Sequence, residues 1–258
     1  MPEGLEAELY RRAAERTVGR TIRSVDVDDR QAMADELVRA LPGAVVENTV
    51  RRGKLVILQL VDCPAAALGL HFGMTGRLVV DGVAPIAELE YASRRDDPGW
   101  DRLSLTFDDG GRLRVNDPRR WARFVLDPDV ERLGPDFLEV TADQLVAVLA
   151  RRRTPVKAAL LDQSVVAGYG NLCVDEVLWQ VGIDPRRPAR DVAGSEVAEL
   201  VRFARPHLRR MLRRGGSHRG TIDPAVRAAL PPCPRDGRPL ERAEVGGRTT
   251  VWCPAHQR

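Results

Sequence analysis

The sequence predicts an α+β chain in two domains. An antiparallel β-sandwich with one leading helix comes first, and a helical domain ending in a small cysteine-bearing β-hairpin follows. Three observations predict this. Through about residue 126, apolar and polar residues alternate in short runs broken by glycine-rich turns, the period of half-buried strands. At Gly134-Pro135-Asp136 the spacing becomes helical. Beyond Gly215-Gly216, proline and glycine become frequent and two cysteines stand in ligand-like spacing. The resulting segments are 1–132, 133–216 and 217–258.

Residues 3–17 read as a helix, with Leu5, Leu9 and Ala13 on one face and Gly19 ending it. Ile22, Val25 and Val27 begin a strand. Residues 44–61 read as a hairpin, Ala44–Val50 and Leu55–Val61, turning through Arg51-Arg52-Gly53-Lys54. Strands at 66–72 and 77–81 flank Gly73-Met74-Thr75-Gly76. Leu103, Leu105 and Phe107 alternate, Asp108-Asp109-Gly110-Gly111 turns, and Leu113 and Val115 complete a second hairpin. Phe124–Leu126 closes the sheet. Thr141-Ala142-Asp143-Gln144 caps a helix running to about Arg152. Further helices are expected from Thr154-Pro155 to Leu161, over Asn171–Val181 and over Gly194–Arg214, the last with Pro206 as a kink point.

Hydrophobic residues make up 43% of the 258, enough for a proper core. No run of eighteen apolar residues exists, so no membrane span is expected. The acidic, amphipathic N-terminus is unlike a signal peptide, and the expected setting is the cytoplasm, at the nucleoid. Residues 1–140 carry 20 Lys and Arg against 25 Asp and Glu; residues 141–258 carry 20 against 12, nearly all of the basic ones Arg. A basic second half suits a polyanion, because Arg pairs with phosphate bidentately. A solvated Arg-rich surface fits the same charge. Four cysteines in such a setting do not imply disulfides.

The stretch with most chemical content is the first, Met1-Pro2-Glu3-Gly4-Leu5-Glu6. Removal of Met1 would expose the secondary amine of Pro2. An α-amino group titrates near pKa ~8, so about a tenth is nucleophilic at pH 7. Such an amine can attack a sugar C1′ and form an iminium, with Glu3 beside it as general acid/base. Proline followed by glutamate is also an ordinary helix start. The strongest internal signal is Asp162-Gln163-Ser164-Val165-Val166-Ala167-Gly168-Tyr169-Gly170-Asn171, a glycine-rich turn feeding a new helix. A helix N-terminus binds phosphate, glycines let a backbone approach closely, and Asn171 can cap the helix while offering its amide. An ordinary helix–helix turn reads the same way.

Asp-Gln-x-x-x-x-Gly-x-Gly-Asn resembles the helix–two-turn–helix of the formamidopyrimidine-DNA glycosylase / endonuclease VIII family, which also begins Met-Pro-Glu and ends in a zinc finger. The resemblance covers essentially the whole chain. It implies a bifunctional DNA glycosylase/AP lyase acting on damaged double-stranded DNA and cutting by β,δ-elimination, expected here as a monomer. Pro2 would be the nucleophile, Glu3 would protonate the sugar and shuttle protons, and Glu6 would brace the N-terminus. Lys54, in Arg-Arg-Gly-Lys, would contact phosphate beside the lesion. His71-Phe72-Gly73-Met74-Thr75-Gly76 resembles the family's His-Leu-Gly-Met-Ser-Gly, which makes Met74 the wedge that offsets part of the cost of base flipping and His71 structural. Asp117-Pro118-Arg119-Arg120-Trp121 resembles Asp-x-Arg-Arg-Phe, with Arg120 assigned to the void opposite the orphan base and Trp121 stacking beside it. Gly246-Gly247-Arg248-Thr249-Thr250 resembles the finger turn, with Arg248 reaching the lesion phosphate. Asn171 would serve phosphate at the helix turn.

The chain departs from the family at its tail. Cys233, Asp236, Cys253 and His256 keep the two-residue spacings of a Cys₄ finger, with carboxylate and imidazole in place of two thiolates. One structural zinc is expected on these four; a zincless hairpin held by packing is the alternative. Ser217–Pro232 is short, polar and proline-rich where oxidised-purine members carry a longer segment. The expected substrate is therefore an oxidised pyrimidine, with oxidised purines and formamidopyrimidines, or bulky alkylated bases, as alternatives. A DNA-binding relative without catalysis would have no need of Pro2, Glu3 and Lys54 together. An RNA-binding zinc ribbon would leave Asp162–Asn171 without a purpose.

Overall fold

The computed structural model describes residues 2–86, 89 and 95–258; Met1, and with it the expected removal of Met1, lies outside them. The chain divides into two compact units, one of Pro2 with Glu6–Val130 and one of Glu3–Leu5 with Glu131–Arg258. The expected α+β class is observed.

In the first unit, helix α1 (Gly4–Ala14), which belongs to it from Glu6 onward, leads into β1 (Ile22–Val27), α2 (Ala34–Ala40), β2 (Val45–Arg52), β3 (Leu55–Val61), β4 (Ala67–His71), β5 (Arg77–Val80), β6 (Asp101–Phe107), β7 (Arg112–Asn116) and β8 (Arg123–Leu126). Two antiparallel four-stranded sheets result, ordered β1-β6-β7-β5 and β2-β3-β4-β8. The alternating residues of both line one core, with Leu58, Leu70, Phe72, Leu105, Phe107 and Val115 inside. The β2–β3 turn is tighter than expected. The strands run to Arg52 and from Leu55, so only Gly53 and Lys54 turn the chain, and Gly53 takes φ 58°.

The core face of α1 is Ala7, Tyr10 and Ala14, all fully buried, whereas Leu9 and Ala13 are half-buried at its flank. The Tyr10 ring sets this rotation. It lies 4.4 Å from Phe72 and donates its hydroxyl to Gly76 O at 3.1 Å, so the largest side chain takes the centre. The short α2 was not foreseen; among its residues only Leu37 is buried, too little to show a period.

In the second unit, α3 (Ala142–Leu149), α4 (Val156–Leu161), α5 (Asn171–Val181), α6 (Gly194–Arg213) and α7 (Pro224–Ala229) precede the hairpin of β9 (Glu241–Val245) and β10 (Arg248–Trp252). The capping box expected at Thr141 and Gln144 is present, and α6 continues through Pro206. Helix α7 lies within 217–232, to which the sequence reading assigned no element. Asp223 caps it by accepting the Val226 N–H at 2.8 Å, and Pro224 is its first residue. Aspartate followed by proline is a helix-start signal, and it was legible. Trp179, Ile222, Cys233, Leu240, Val251 and Cys253 pack into a separate small core beneath the hairpin.

Glu176, buried on α5, ties this unit together. One carboxylate oxygen meets His207 Nε2 of α6 at 2.8 Å. The other accepts the N–H groups of Thr221 and Ile222 at 2.7 and 2.8 Å. Burial alone would raise the Glu176 pKa, but the bonds from His207, Ile222 and Gln180 outweigh it and hold it below the ordinary 4.5. The stabilisation from Glu176 is therefore complete above the unfolded value and is lost as pH falls through the folded one. Glu176→Gln is expected to cost about 3 kcal/mol at pH 7 and to flatten the acid limb of stability below pH 4.5, both read by denaturant unfolding across pH.

Candidate functional site

Helix α5 begins with N–H groups that have no intrahelical partner. Asn171 was expected to cap it. Instead Gly170 stands at the cap position, and no side chain caps from there. The acceptor comes from the other end of the chain: Glu3 Oε1 takes the Leu172 N–H at 2.8 Å and Glu3 Oε2 takes the Cys173 N–H at 3.0 Å. The Glu3 carboxylate is thus seated, 1% exposed, where the helix stabilises negative charge.

The loop before α5 is built to receive it. Asp162 accepts from Ser164 N and Oγ at 2.9 and 2.7 Å. The Gln163 amide accepts from Gly168 N at 3.0 Å and donates to Leu161 O and Tyr169 O. Gly4 N donates to Gly168 O at 2.9 Å. A Cβ on Gly170 would stand 2.3 Å from the Glu3 Cδ, and one on Gly168, at φ +114°, would stand 2.3 Å from Phe137. These glycines make room for the chain's own Glu3 and Phe137.

Asn171 turns its amide aside. Its Nδ2 donates to Thr249 O of β10 at 3.0 Å, while its Oδ1 is buried with no hydrogen-bond partner. Arg248, one residue before Thr249, is exposed at the hairpin turn. Gly246 allows the turn to pack there, because a Cβ at that position would stand 2.6 Å from Ala158 Cβ.

In the first unit, Glu6 is buried on α1, where its charge helps burial push the Tyr10 hydroxyl far above its ordinary range. Pro2 is buried and Lys54 half-buried at the β2–β3 turn. His71 on β4 accepts the Gly73 N–H at 3.2 Å. Burial, with Lys54 and Arg123 nearby, lowers its pKa and favours the neutral ring.

The Met74 loop and the Arg120–Trp121 loop are joined by Asp117, a residue that motif reading left without a role. Its fully buried carboxylate accepts Thr75 Oγ1 on one oxygen and the N–H groups of Trp121 and Ala122 at 2.7 and 2.8 Å on the other. Gly73, at φ +56°, packs so closely that a Cβ would stand 2.6 Å from the Trp121 backbone. Trp121 is 49% exposed, and the Arg119 guanidinium lies over its ring at 4.5 Å. Arg120 adopts φ 59° and points to Asp28 at 3.6 Å, which also pairs with buried Arg102.

The four expected metal ligands converge: one ligand atom from each of Cys233, Asp236, Cys253 and His256 lies within 4.8 Å of all the others. Cys233 Sγ is 3.8 Å from His256 Nδ1, Asp236 Oδ2 is 3.1 Å from the same nitrogen, and Cys253 Sγ is 3.4 Å from Asp236 Oδ2. Metal bonds of about 2.0–2.3 Å at tetrahedral angles space ligand atoms roughly 3.3–3.8 Å apart, so the residues fit such an ion. His256 Nε2 meets the carbonyl of Trp179 at 3.1 Å, which orients the ring and leaves Nδ1 as the donor. The Arg238 N–H, helped by His256 and both thiols, holds the Asp236 carboxyl down at about 2.

Comparison with known proteins agrees across the chain. Residues 1–124 match the formamidopyrimidine-DNA glycosylase N-terminal domain and residues 133–222 the formamidopyrimidine-DNA glycosylase H2TH domain. The formamidopyrimidine-DNA glycosylase of Paracoccus denitrificans is 37% identical over 287 aligned positions, and that of Geobacter metallireducens 35% over 281, each alignment covering 100% of both chains. The fold is similar to that of the Lactococcus lactis Fpg bound to DNA containing N7-benzyl-Fapy-dG (26% identical, TM-score 0.82, all of both chains). It is also similar to MutM in complex with DNA containing carbocyclic 8-oxo-G (27% identical, TM-score 0.81, all of both chains). Among the described residues, no helix is long and apolar enough to cross a membrane.

The seat of Glu3 makes a prediction about Gly170, whose φ of −124° any residue can adopt. Gly170→Ala is expected to destabilise the fold by about 2 kcal/mol through the clash with Glu3. In a Glu3→Gly background the same substitution should cost little, since the clashing carboxylate is gone. Thermal melts of the four proteins check this.

Proposed function

The chain belongs to the formamidopyrimidine-DNA glycosylase family, and from that premise we propose that it is a bifunctional DNA glycosylase/AP lyase of base excision repair, with Pro2 as nucleophile and Glu3 as the proton-transferring group. The observation that carries the reading is the Glu3 carboxylate held at the N-terminus of α5, one peptide bond from Pro2. The Pro2 amine attacks C1′ of the damaged nucleotide and the C1′–base bond breaks; the C1′–O4′ bond then opens, Glu3 protonates the released O4′, and an iminium links protein and sugar. Glu3 then relays protons through β- and δ-elimination. Lys54 and Arg248 grip phosphates, Asn171 steadies the turn beside Arg248, and Glu6 braces the helix behind Pro2.

Met74 and Trp121 fill the stack when the base leaves it. Their loops are locked by Asp117, which suits side chains that must enter DNA without yielding. The arginine assignment is revised. Arg120 is engaged by Asp28, whereas Arg119 lies on the exposed Trp121 and is the better placed to follow it into the duplex opposite the vacated base.

Formamidopyrimidines and oxidised purines replace oxidised pyrimidines as the proposed substrates. The pyrimidine expectation rested on the shortness of 217–232. The similar proteins are formamidopyrimidine-DNA glycosylases, and similar structures hold Fapy-dG or 8-oxo-G DNA. The metal proposed at Cys233, Asp236, Cys253 and His256 is one zinc, whose role is to fasten the β9–β10 hairpin.

Borohydride is expected to trap the protein on duplex DNA with one abasic site. Pro2→Gly should lose most of the adduct, and Glu3→Gln should slow base release about 10²–10⁴-fold; no adduct from protein with a free Pro2 amine would sink the lyase reading. Arg119→Ala should relax opposite-base preference more than Arg120→Ala in excision assays on a panel of pairs. Metal analysis should find about one zinc per chain, and Asp236→Ala should lower zinc retention about 10–100-fold against a competing chelator.

A further inference from the structure

Charged side chains are buried together where α4, α5, α7 and β10 meet. Lys157 on α4 and Asp175 on α5 have fully buried side chains, and Arg227 on α7 is nearly so. Lys157 Nζ stands 2.6 Å from Asp175 Oδ1, a fully buried ion pair. The other carboxylate oxygen pairs with Arg227 and accepts the Val251 N–H at 3.2 Å. Three donors from three helices converge on Thr249 O: Lys157 Nζ at 3.2 Å, Asn171 Nδ2 at 3.0 Å and Arg227 Nη2 at 2.7 Å. Lys157 also donates to Thr250 Oγ1 at 2.7 Å. Thr249, Thr250 and Val251 are therefore all fastened, directly after Arg248.

Stability does not explain this cluster. Burying each ion costs several kcal/mol, and apolar residues of the same volume often serve a fold as well. What directed charges add is register. An apolar contact tolerates a slide along β10; a carbonyl held by three donors does not. Lys157 and Arg227 against Asp175 leave one positive charge, which Glu3 balances, its field reaching Lys157. Burial, against the pull of Asp175, lowers Lys157 to about 8, so the cluster depends on both acids to keep that lysine charged.

We propose that Asp175 and Arg227 are positioning residues that fix Arg248 in register with the α5 terminus seating Glu3, so that one buried charge cluster sets both the phosphate-gripping arginine and the proton-transferring carboxylate. This rests on the reading of Glu3 and Arg248 given above.

A double-mutant cycle tests it, using the full chain and duplex DNA carrying a tetrahydrofuran abasic-site analogue. Asp175→Asn should weaken binding about tenfold in the wild-type background and less than about twofold in an Arg248→Ala background, the coupling expected of residues acting through one another. Arg227→Met should behave alike, and Arg227→Lys should recover part of the loss. Equal losses in both backgrounds, or no loss in the wild-type background, would overturn the proposal. If Arg248→Ala alone leaves affinity unchanged, the reading of Arg248 fails and the clamp falls with it. If Asp175→Asn does not fold because Lys157 is orphaned, Arg227→Met, which leaves the Lys157–Asp175 pair intact, carries the same cycle.

Discussion

The N–H groups at the start of α5 must find an acceptor, because a helix cannot satisfy them internally. The acceptor is a side chain from the far end of the chain, Glu3, which spans both Leu172 and Cys173. Much else is a consequence. Residue 170 must lack a Cβ to let the carboxylate in. Gly4 must approach Gly168 O, and Phe137 fills the space that Gly4 and Gly168 leave. A group proposed to move protons is thereby held by donors that do not move with solvent, the preorganisation that makes a fixed carboxylate more effective than a mobile one.

Much of this was legible, though often for a different reason than the motif suggested. The bounds of α5 were read as Asn171–Val181 and are observed there, because Gly170 and Gly182 punctuate an apolar run. The four finger ligands were implied by the resemblance to a four-cysteine finger, with spacing singling out only Cys233 and Cys253, and they do converge. What sequence could not supply was the identity of long-range partners. Asn171 looked like a cap because asparagine often is one; the cap comes from 168 residues earlier in the chain, a pairing no local window contains. The two adjacent arginines, 119 and 120, are equivalent as letters. A backbone turn into positive φ at Arg120 and a carboxylate at Asp28 separate them. Asp175 carried no motif at all, and its importance comes wholly from three partners on three other elements.

Buried charge recurs at each fixed point of the molecule: Asp117 under the wedge loops, Glu176 across α5 and α6, Asp175 beneath the hairpin. Each accepts backbone N–H groups as well as side chains, which offsets part of its desolvation. Asp117 and Asp175 also join segments that carry exposed residues of the proposed DNA-binding set, Trp121 and Arg248 respectively. A surface that must press against a polyanion is pushed by every phosphate it meets. Side chains on turns resist that push only if the turns are anchored by directed bonds, and apolar packing gives few of those.

The finger follows the same logic with a different donor set. Exchanging two thiolates for a carboxylate and an imidazole removes one negative charge from the metal-binding group. It also gives up soft donors that hold zinc most tightly. The loss is limited by geometry, since Trp179 O orients His256 and the Arg238 N–H keeps Asp236 ionised, so neither ligand must be organised when the ion arrives. The gain lies in the field. The hairpin that carries Arg248 is proposed to approach phosphate, and a metal site with one less negative charge at its base repels that phosphate less. In a tail already rich in arginine, the departure from four cysteines is then consistent with the basic second half of the chain: both shift the potential of the hairpin toward the polyanion it is proposed to hold.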